Sequence, residues 1–136
     1  MIVSFCGDEF VADLDVVYLE ERLKNITEYL IKDGKIVFIS DGYSEYGLLC
    51  KKVVENLKKK YPHIAYVPAM KHIAPGYKKG DYDVSLRGSV QLQRSTLAKQ
   101  KCSDYMILKA DAIVNYTKTN RKNLMVNGKE VFDIIM

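Results

Sequence analysis

Two short polar turns in this sequence carry residue types that can bind a small ligand. Gly7 and Asp8 follow an apolar run at the start of the chain, and a second turn at residues 40–44 follows another apolar run. The second turn opens a helix, whose first N–H groups carry a partial positive charge that suits phosphate. Glycine in such a turn lets a ligand approach the backbone closely. We therefore predict a binding site whose ligand-binding residues include Gly7, Asp8, Asp41, Gly42, Tyr43 and Ser44.

Three further residues are candidates for the same site. Glu45 is the candidate catalytic acid, and together with Asp8 it would supply the two carboxylates that glycosidic chemistry requires. Arg87 and Arg94 flank the start of a long helix, and the planar guanidinium of arginine suits a phosphate or a carboxylate. For Cys6, at the end of the first strand, a small buried hydrophobic residue is favoured over a nucleophile, because no histidine lies near it in sequence.

The sequence carries no established phosphate or metal motif. Neither G-x-G-x-x-G nor the Walker pattern occurs. An ordinary turn, with Asp41 or Ser44 as the helix N-cap, is therefore the alternative to phosphate binding. The chain has three cysteines and no close pair among them, which fits neither a disulfide framework nor a zinc site. No metal is predicted.

Strands and helices alternate along the chain and would position these turns. Apolar, β-rich runs indicate five strands, near residues 1–6, 36–39, 64–67, 112–116 and 130–135. Apolar residues at steps of three and four indicate helices at 16–33, 45–60 and, with a poor pattern, 89–108. This alternation predicts an α/β fold: a single Rossmann-like three-layer domain over residues 1–136, with a five-stranded, mainly parallel sheet.

Two segments interrupt this regular alternation. Residues 69–88 have no periodicity and are predicted to form a long loop, a feature that is usually functional. Its Tyr77 and Tyr82 would form either a stacking lid over a base or an arm that packs on a second subunit. Residues 117–129 are near the minimum length for a crossover that contains a helix. Because one small domain has no second lobe, this loop or a neighbouring subunit must cover a ligand, and we predict a homo-oligomer.

Composition excludes several classes of protein. With 48% hydrophobic and 28% charged residues, the chain has a globular composition rather than a disordered one. No apolar run reaches the roughly 18 residues that span a bilayer, so no membrane partner is expected. The net charge of +4 is mild, and the lysines of 51–60 alternate with Glu55 as on a solvated helix face, so nucleic acid is not an expected partner. The start of the chain lacks signal-peptide features, which predicts a cytoplasmic protein.

Four runs along the chain combine into a family resemblance. They read FCG at 5–7, FISDGY at 38–43, LKKKYPHI at 57–64 and KADAIV at 109–114. Together they resemble the YpsA-like branch of the SLOG superfamily, a Rossmann-like group that includes the LOG phosphoribohydrolases and the DprA DNA-processing proteins. The resemblance covers nearly the whole chain. It implies a nucleotide or nucleotide-derived ligand, such as AMP or ADP-ribose, at the carboxyl edge of the sheet.

The chain departs from this family at the site itself. Asp8 stands where the family has histidine, and in the glycine-rich turn only Gly42 keeps its glycine, with Gly47 where an acid is expected. Residues 101–103 read KCS where the family often has an Arg-Asn pair. Asp41 would repel a phosphate by about 1 kcal/mol at 4 Å in water. We therefore expect a pocket that has been altered relative to the family.

The sequence therefore predicts a binding protein for a nucleotide or nucleotide-derived small molecule, without efficient catalysis. One alternative is a nucleoside-monophosphate glycosidase of the LOG type, with Glu45 as its acidic residue. The other is a DNA-associated or protein-interaction scaffold.

Overall fold

The computed structural model describes residues 1–73, 89–118 and 129–135, with side chains for all of these except 72–73 and 89–96. The elements in chain order are β1 (Ile2–Gly7), a 3₁₀ turn (Asp13–Asp15), α1 (Val16–Lys32), β2 (Val37–Ser40), α2 (Glu45–Lys58), β3 (Ala65–Pro68), α3 (Ala69–Ile73), α4 (Ser89–Lys109), β4 (Ala112–Thr117) and β5 (Glu130–Ile135). The predicted alternation is confirmed.

One short helix was not predicted. The segment 69–88 was expected to be a loop throughout, but α3 occupies its first five residues. Ala69 and Met70 are buried in a hydrophobic cluster, so tertiary packing forms this helix where the sequence has no helical periodicity. The remainder of the predicted loop, with Tyr77 and Tyr82, lies outside the described residues, as does most of the crossover at 117–129.

The strands form one sheet in the order β3-β2-β1-β4-β5. Each described pair of neighbours is parallel, so the predicted, mainly parallel sheet is parallel throughout. This is the order of the first five strands of a Rossmann fold. The chain moves outward in one direction from β1 and in the other from β4, so the strand order reverses between these two strands.

Helices cover both faces of the sheet. Successive strand residues point to opposite faces, and in β2 Phe38 packs in the larger cluster with Leu19, Leu23 and Val54 of α1 and α2. The smaller cluster, on the opposite face, contains Ile39 with Ala69 and Met70 of α3 and Cys102 and Met106 of α4. The fold is therefore the predicted three-layer, Rossmann-like α/β arrangement.

Two sets of hydrogen bonds fix the carboxyl half of α4. The buried Ser4 hydroxyl of β1 donates to the Met106 carbonyl over 2.7 Å. The Lys129 ammonium donates to the carbonyls of Ile107, Leu108 and Ala110 over 2.8, 3.1 and 2.6 Å, satisfying acceptors that a helix end leaves open. The first bond holds this half of α4 against β1, where it forms one wall of the site, and the second set ties the end of the helix to the start of β5.

Candidate functional site

A cleft of about 310 Å³ opens between α4 and the carboxyl ends of β1 and β2. Its volume is at the lower end of the roughly 300–1,000 Å³ found for small-molecule sites. The strands and the turns that follow them contribute Phe5, Cys6, Gly7, Glu9, Asp41, Tyr43 and, from α2, Tyr46. The opposite wall is α4, with Lys99, Gln100, Cys102, Ser103 and Met106.

Asp41 points into the start of α2, where a phosphate was predicted to bind. Its Oδ1 accepts hydrogen bonds from the backbone N–H groups of Tyr43 and Ser44, over 3.0 and 3.1 Å. Ser44 is the N-cap of α2, and its Oγ accepts from the N–H of Gly47 over 2.9 Å. A Cβ on Gly47 would lie 1.9 Å from the Asp41 Oδ1, so glycine makes room for the carboxylate. The alternative of a capped turn is therefore what the structure contains.

Three charged side chains give the described part of the cleft an acidic character. Glu9 accepts a hydrogen bond from the Tyr43 hydroxyl over 2.8 Å, and its second oxygen lies 3.7 Å from the Lys99 ammonium. That ammonium also lies 5.4 Å from the centre of the Tyr43 ring. Asp41 adds a second carboxylate, whose pKa is raised because burial outweighs its hydrogen bonds from Ser44 and Tyr43. Two carboxylates thus face one ammonium.

The two thiols in the cleft are protonated at neutral pH. Burial, followed by the charge of Asp41, raises the pKa of Cys6 to about 12. The same two causes come first for Cys102 and raise its pKa to about 12 as well. A nucleophilic cysteine needs the thiolate form, so both side chains act as small apolar groups, as the sequence favoured for Cys6.

Neighbouring strands, rather than a ligand, require glycine at the two turns. Gly7 has a φ of +128°, and a Cβ there would lie 2.0 Å from the carbonyl oxygen of Tyr116 in β4. Gly42 has a φ of +83°, and its Cβ would lie 2.8 Å from the Cβ of Pro68 in β3. These contacts explain why glycine is needed at both positions, and the expectation that the two glycines also let a ligand approach the backbone stays a prediction.

The predicted carboxylate pair, Asp8 and Glu45, does not line the cleft. The Asp8 Oδ2 accepts a hydrogen bond from the backbone N–H of Lys118 over 2.8 Å, and Glu45 is an exposed residue at the start of α2. The two carboxylates that share the cleft are instead Glu9 and Asp41.

Of the predicted site residues, Gly7, Asp41 and Tyr43 line the cleft, whereas Gly42 and Ser44 support the turn beside it. Arg94 belongs to α4, in the part whose side chains are not described, and Arg87 lies outside the described residues. Their proposed contacts with a ligand stay predictions.

Sequence reasoning did not identify Glu9 or the α4 wall as parts of the site. Two signals pointed toward α4. Its apolar pattern is poor, so the sequence did not assign the whole helix to the core. In addition, Cys102 and Ser103 fall where the resembled family has its polar pair, and both line the cleft.

Comparison with known proteins gives no family. No model of a protein family matches the chain. No curated protein is significantly similar to it. Within residues 1–73, 89–118 and 129–135, no helix is long and apolar enough to cross a membrane, and no group of three or more His, Cys, Asp or Glu side chains is placed to hold a metal ion.

Proposed function

We propose that this chain binds a small, nucleotide-derived molecule in the cleft between α4 and the carboxyl ends of β1 and β2. The position of the cleft carries the proposal, because open parallel sheets bind ligands outside the carboxyl ends of their strands, near the reversal of strand order. The resemblance to the SLOG superfamily supports the same class of ligand and the same edge of the sheet.

The side chains of the cleft suit the base and sugar of such a molecule. Tyr43, Cys6, Cys102 and Met106 supply aromatic, thiol and thioether surface for an apolar ring. The carboxylates of Glu9 and Asp41 can accept hydrogen bonds from hydroxyl or amino groups. Because both thiols are protonated, these two cysteines support binding rather than catalysis by a thiolate nucleophile.

Thermal unfolding with adenosine, AMP and ADP-ribose tests the proposal. Ser103→Trp places a large side chain in the cleft, and Lys101→Trp places the same side chain at an exposed position of α4 outside it. A ligand at 100 times its Kd adds about 2.7 kcal/mol to the free energy of unfolding. We expect at least one compound to raise the Tm of the wild type and of Lys101→Trp but not that of Ser103→Trp. No shift in the wild type, or an equal shift in all three proteins, would refute the proposal.

The glycosidase alternative has less support from the geometry, because Glu45 is exposed and lies outside the cleft. It stays a prediction that release of free base from AMP tests directly. Release by the wild type that is lost in Glu45→Ala would establish it. The other alternative, a DNA-associated or protein-interaction scaffold, stays a prediction, and its DNA-associated form predicts single-stranded DNA binding that weakens as salt increases.

A further inference from the structure

We infer that the cleft selects the phosphate-free member of its ligand class, a nucleoside over its nucleotide, and that Asp41 is the residue that sets this preference. The inference rests on the proposed function, since it takes the cleft as the site of a nucleotide-derived ligand. The Asp41 carboxylate would then lie where a phosphate binds in other Rossmann-like folds.

The first reason is that four N–H groups at the start of α2, those of Tyr43, Ser44, Tyr46 and Gly47, are already bonded. In Rossmann-like sites a phosphate receives hydrogen bonds from backbone N–H groups at a helix N-terminus. Here the N–H groups of Tyr43 and Ser44 donate to the Asp41 carboxylate, and that of Gly47 donates to the Ser44 hydroxyl. The N–H of Tyr46 donates to the Glu9 carbonyl over 3.0 Å. To reach the N–H groups of Tyr43 and Ser44, a phosphate would have to displace the Asp41 carboxylate.

The second reason is charge. Asp41 and Glu9 both line the cleft, and the Lys99 ammonium already lies 3.7 Å from Glu9 and over the ring of Tyr43. A phosphate dianion in this cleft would lie close to two carboxylates, and the burial of Asp41 makes its repulsion stronger than it would be in water.

The third reason is that the same carboxylates favour an uncharged ligand. An ionised carboxylate has about four acceptor positions, and Asp41 uses them for two backbone N–H groups that share a single oxygen and for the Ser44 side chain, which leaves about one. Asp41 therefore keeps acceptor capacity for a ribose hydroxyl or an exocyclic amino group. Hydrogen bonds to a charged acceptor are stronger than neutral ones, so the carboxylate adds affinity for a nucleoside while it weakens affinity for a phosphate.

Calorimetric titration with adenosine and AMP at low salt tests the inference. Asp41→Asn keeps an oxygen that can accept from Tyr43 and Ser44 but removes the charge. Glu55→Gln is the matched control, because it removes an equal charge from an exposed position of α2 outside the cleft. We expect wild type to bind adenosine at least tenfold more tightly than AMP, Asp41→Asn to reduce this ratio about tenfold, and Glu55→Gln to change it less than twofold.

Glu9→Gln is a second variant, at an exposed residue, that keeps the test open if Asp41→Asn does not fold. It also removes a negative charge from the cleft, and we expect it to reduce the ratio severalfold. Equal or tighter binding of AMP by the wild type would overturn the inference and leave the proposed function standing. An unchanged ratio in both cleft variants, or an equal change in Glu55→Gln, would overturn the role of Asp41. Binding of neither compound would refute the proposed function, and this inference with it.

Discussion

The turns after β1 and β2 begin alike and are held in different ways. Each contains a glycine at positive φ next to an aspartate, at the same edge of the sheet. In the first turn Asp8 reaches across to the backbone of Lys118, beyond the end of β4. In the second turn the Asp41 carboxylate accepts hydrogen bonds from N–H groups only two and three residues away, at the start of α2.

The two turns look alike in sequence but have different structural roles, one at the sheet edge and one at a helix terminus. The first turn connects neighbouring parts of the sheet edge, because the Asp8 N–H also donates to the Tyr116 carbonyl over 2.9 Å. The second turn closes the terminus of a helix. A Gly-Asp or Asp-Gly pair after a parallel strand is therefore not by itself a sign of a phosphate site, since the chain can use both residues for its own backbone.

The largest expected difference between the turns is at their glycines. Gly7→Ala would place a Cβ 2.0 Å from a backbone oxygen of the buried β4, which cannot move away, so we expect a loss of about 4 kcal/mol or more in the free energy of unfolding. Gly42→Ala would place its Cβ 2.8 Å from the Pro68 side chain and adds strain at positive φ, and we expect a loss of about 2 kcal/mol. Urea unfolding measures both. A loss at Gly42 that equals the loss at Gly7 would contradict this ranking.

The two hydrogen-bonding side chains should differ by a smaller amount. Ser44→Ala removes a buried N-cap, and we expect a loss of about 1–2 kcal/mol. Asp8→Ala removes a hydrogen bond near solvent, with an expected loss of about 0.5–1 kcal/mol. Asp13→Ala, at an exposed acidic residue of the same β1–α1 connection, is the control and should change stability by less than about 0.5 kcal/mol. The distinction between the turns fails if Asp8→Ala costs more than Ser44→Ala.

Removing the hydroxyl groups of two packed tyrosines, one in α2 and one in β4, should change the free energy of unfolding in opposite directions. Tyr46 and Tyr116 pack with ring centroids 5.1 Å apart, and the Tyr46 hydroxyl donates to the Val114 carbonyl over 3.0 Å. The buried Tyr116 hydroxyl has no hydrogen-bond partner among the described residues. We expect Tyr46→Phe to cost about 1 kcal/mol and Tyr116→Phe to be neutral or to stabilise by up to about 1 kcal/mol. Destabilisation by Tyr116→Phe would show that its hydroxyl is bonded in solution.

The smallest expected effect is a pH dependence that belongs to the second turn. Burial raises the pKa of Asp41 in the folded protein, so the folded state holds this proton more tightly than the unfolded state. The contribution of Asp41 to stability is therefore greatest below its ordinary unfolded pKa and falls as pH rises through the raised folded pKa. Asp41→Asn should lose this decline, whereas Glu45→Gln should keep it. Unfolding curves at a series of pH values measure the effect, and a parallel decline in Asp41→Asn would contradict it.

Much of the fold could be predicted because burial and local pattern decide it. Strands predicted at 36–39 and 64–67 are observed as Val37–Ser40 and Ala65–Pro68. A strand that is buried on both faces is apolar at successive positions, and this signal needs no knowledge of its neighbours. The helix α3 could not be predicted, because five residues are too few to show a period and their burial depends on α4.

The site was predicted only in part. The sequence placed Asp41 and Tyr43 at the edge of the sheet where the cleft opens, but it did not give the direction of the Asp41 carboxylate. Glu9 and Lys99 escaped prediction because they reach the cleft through contacts with residues far away in sequence. The Glu9 carboxylate meets Tyr43 from 34 positions away, and Lys99 meets Glu9 from the opposite wall.

The sequence by itself determined the order of strands and helices, the parallel sheet that this order implies, and the edge at which the two glycine turns lie. These follow from local propensity, apolar patterning and the handedness of crossovers. Only the tertiary structure decided that the backbone of β4 requires Gly7, that Asp41 closes the start of α2, and that α4 completes the cleft. Each of these depends on close approach between segments that are distant along the chain, and no local pattern encodes such distances.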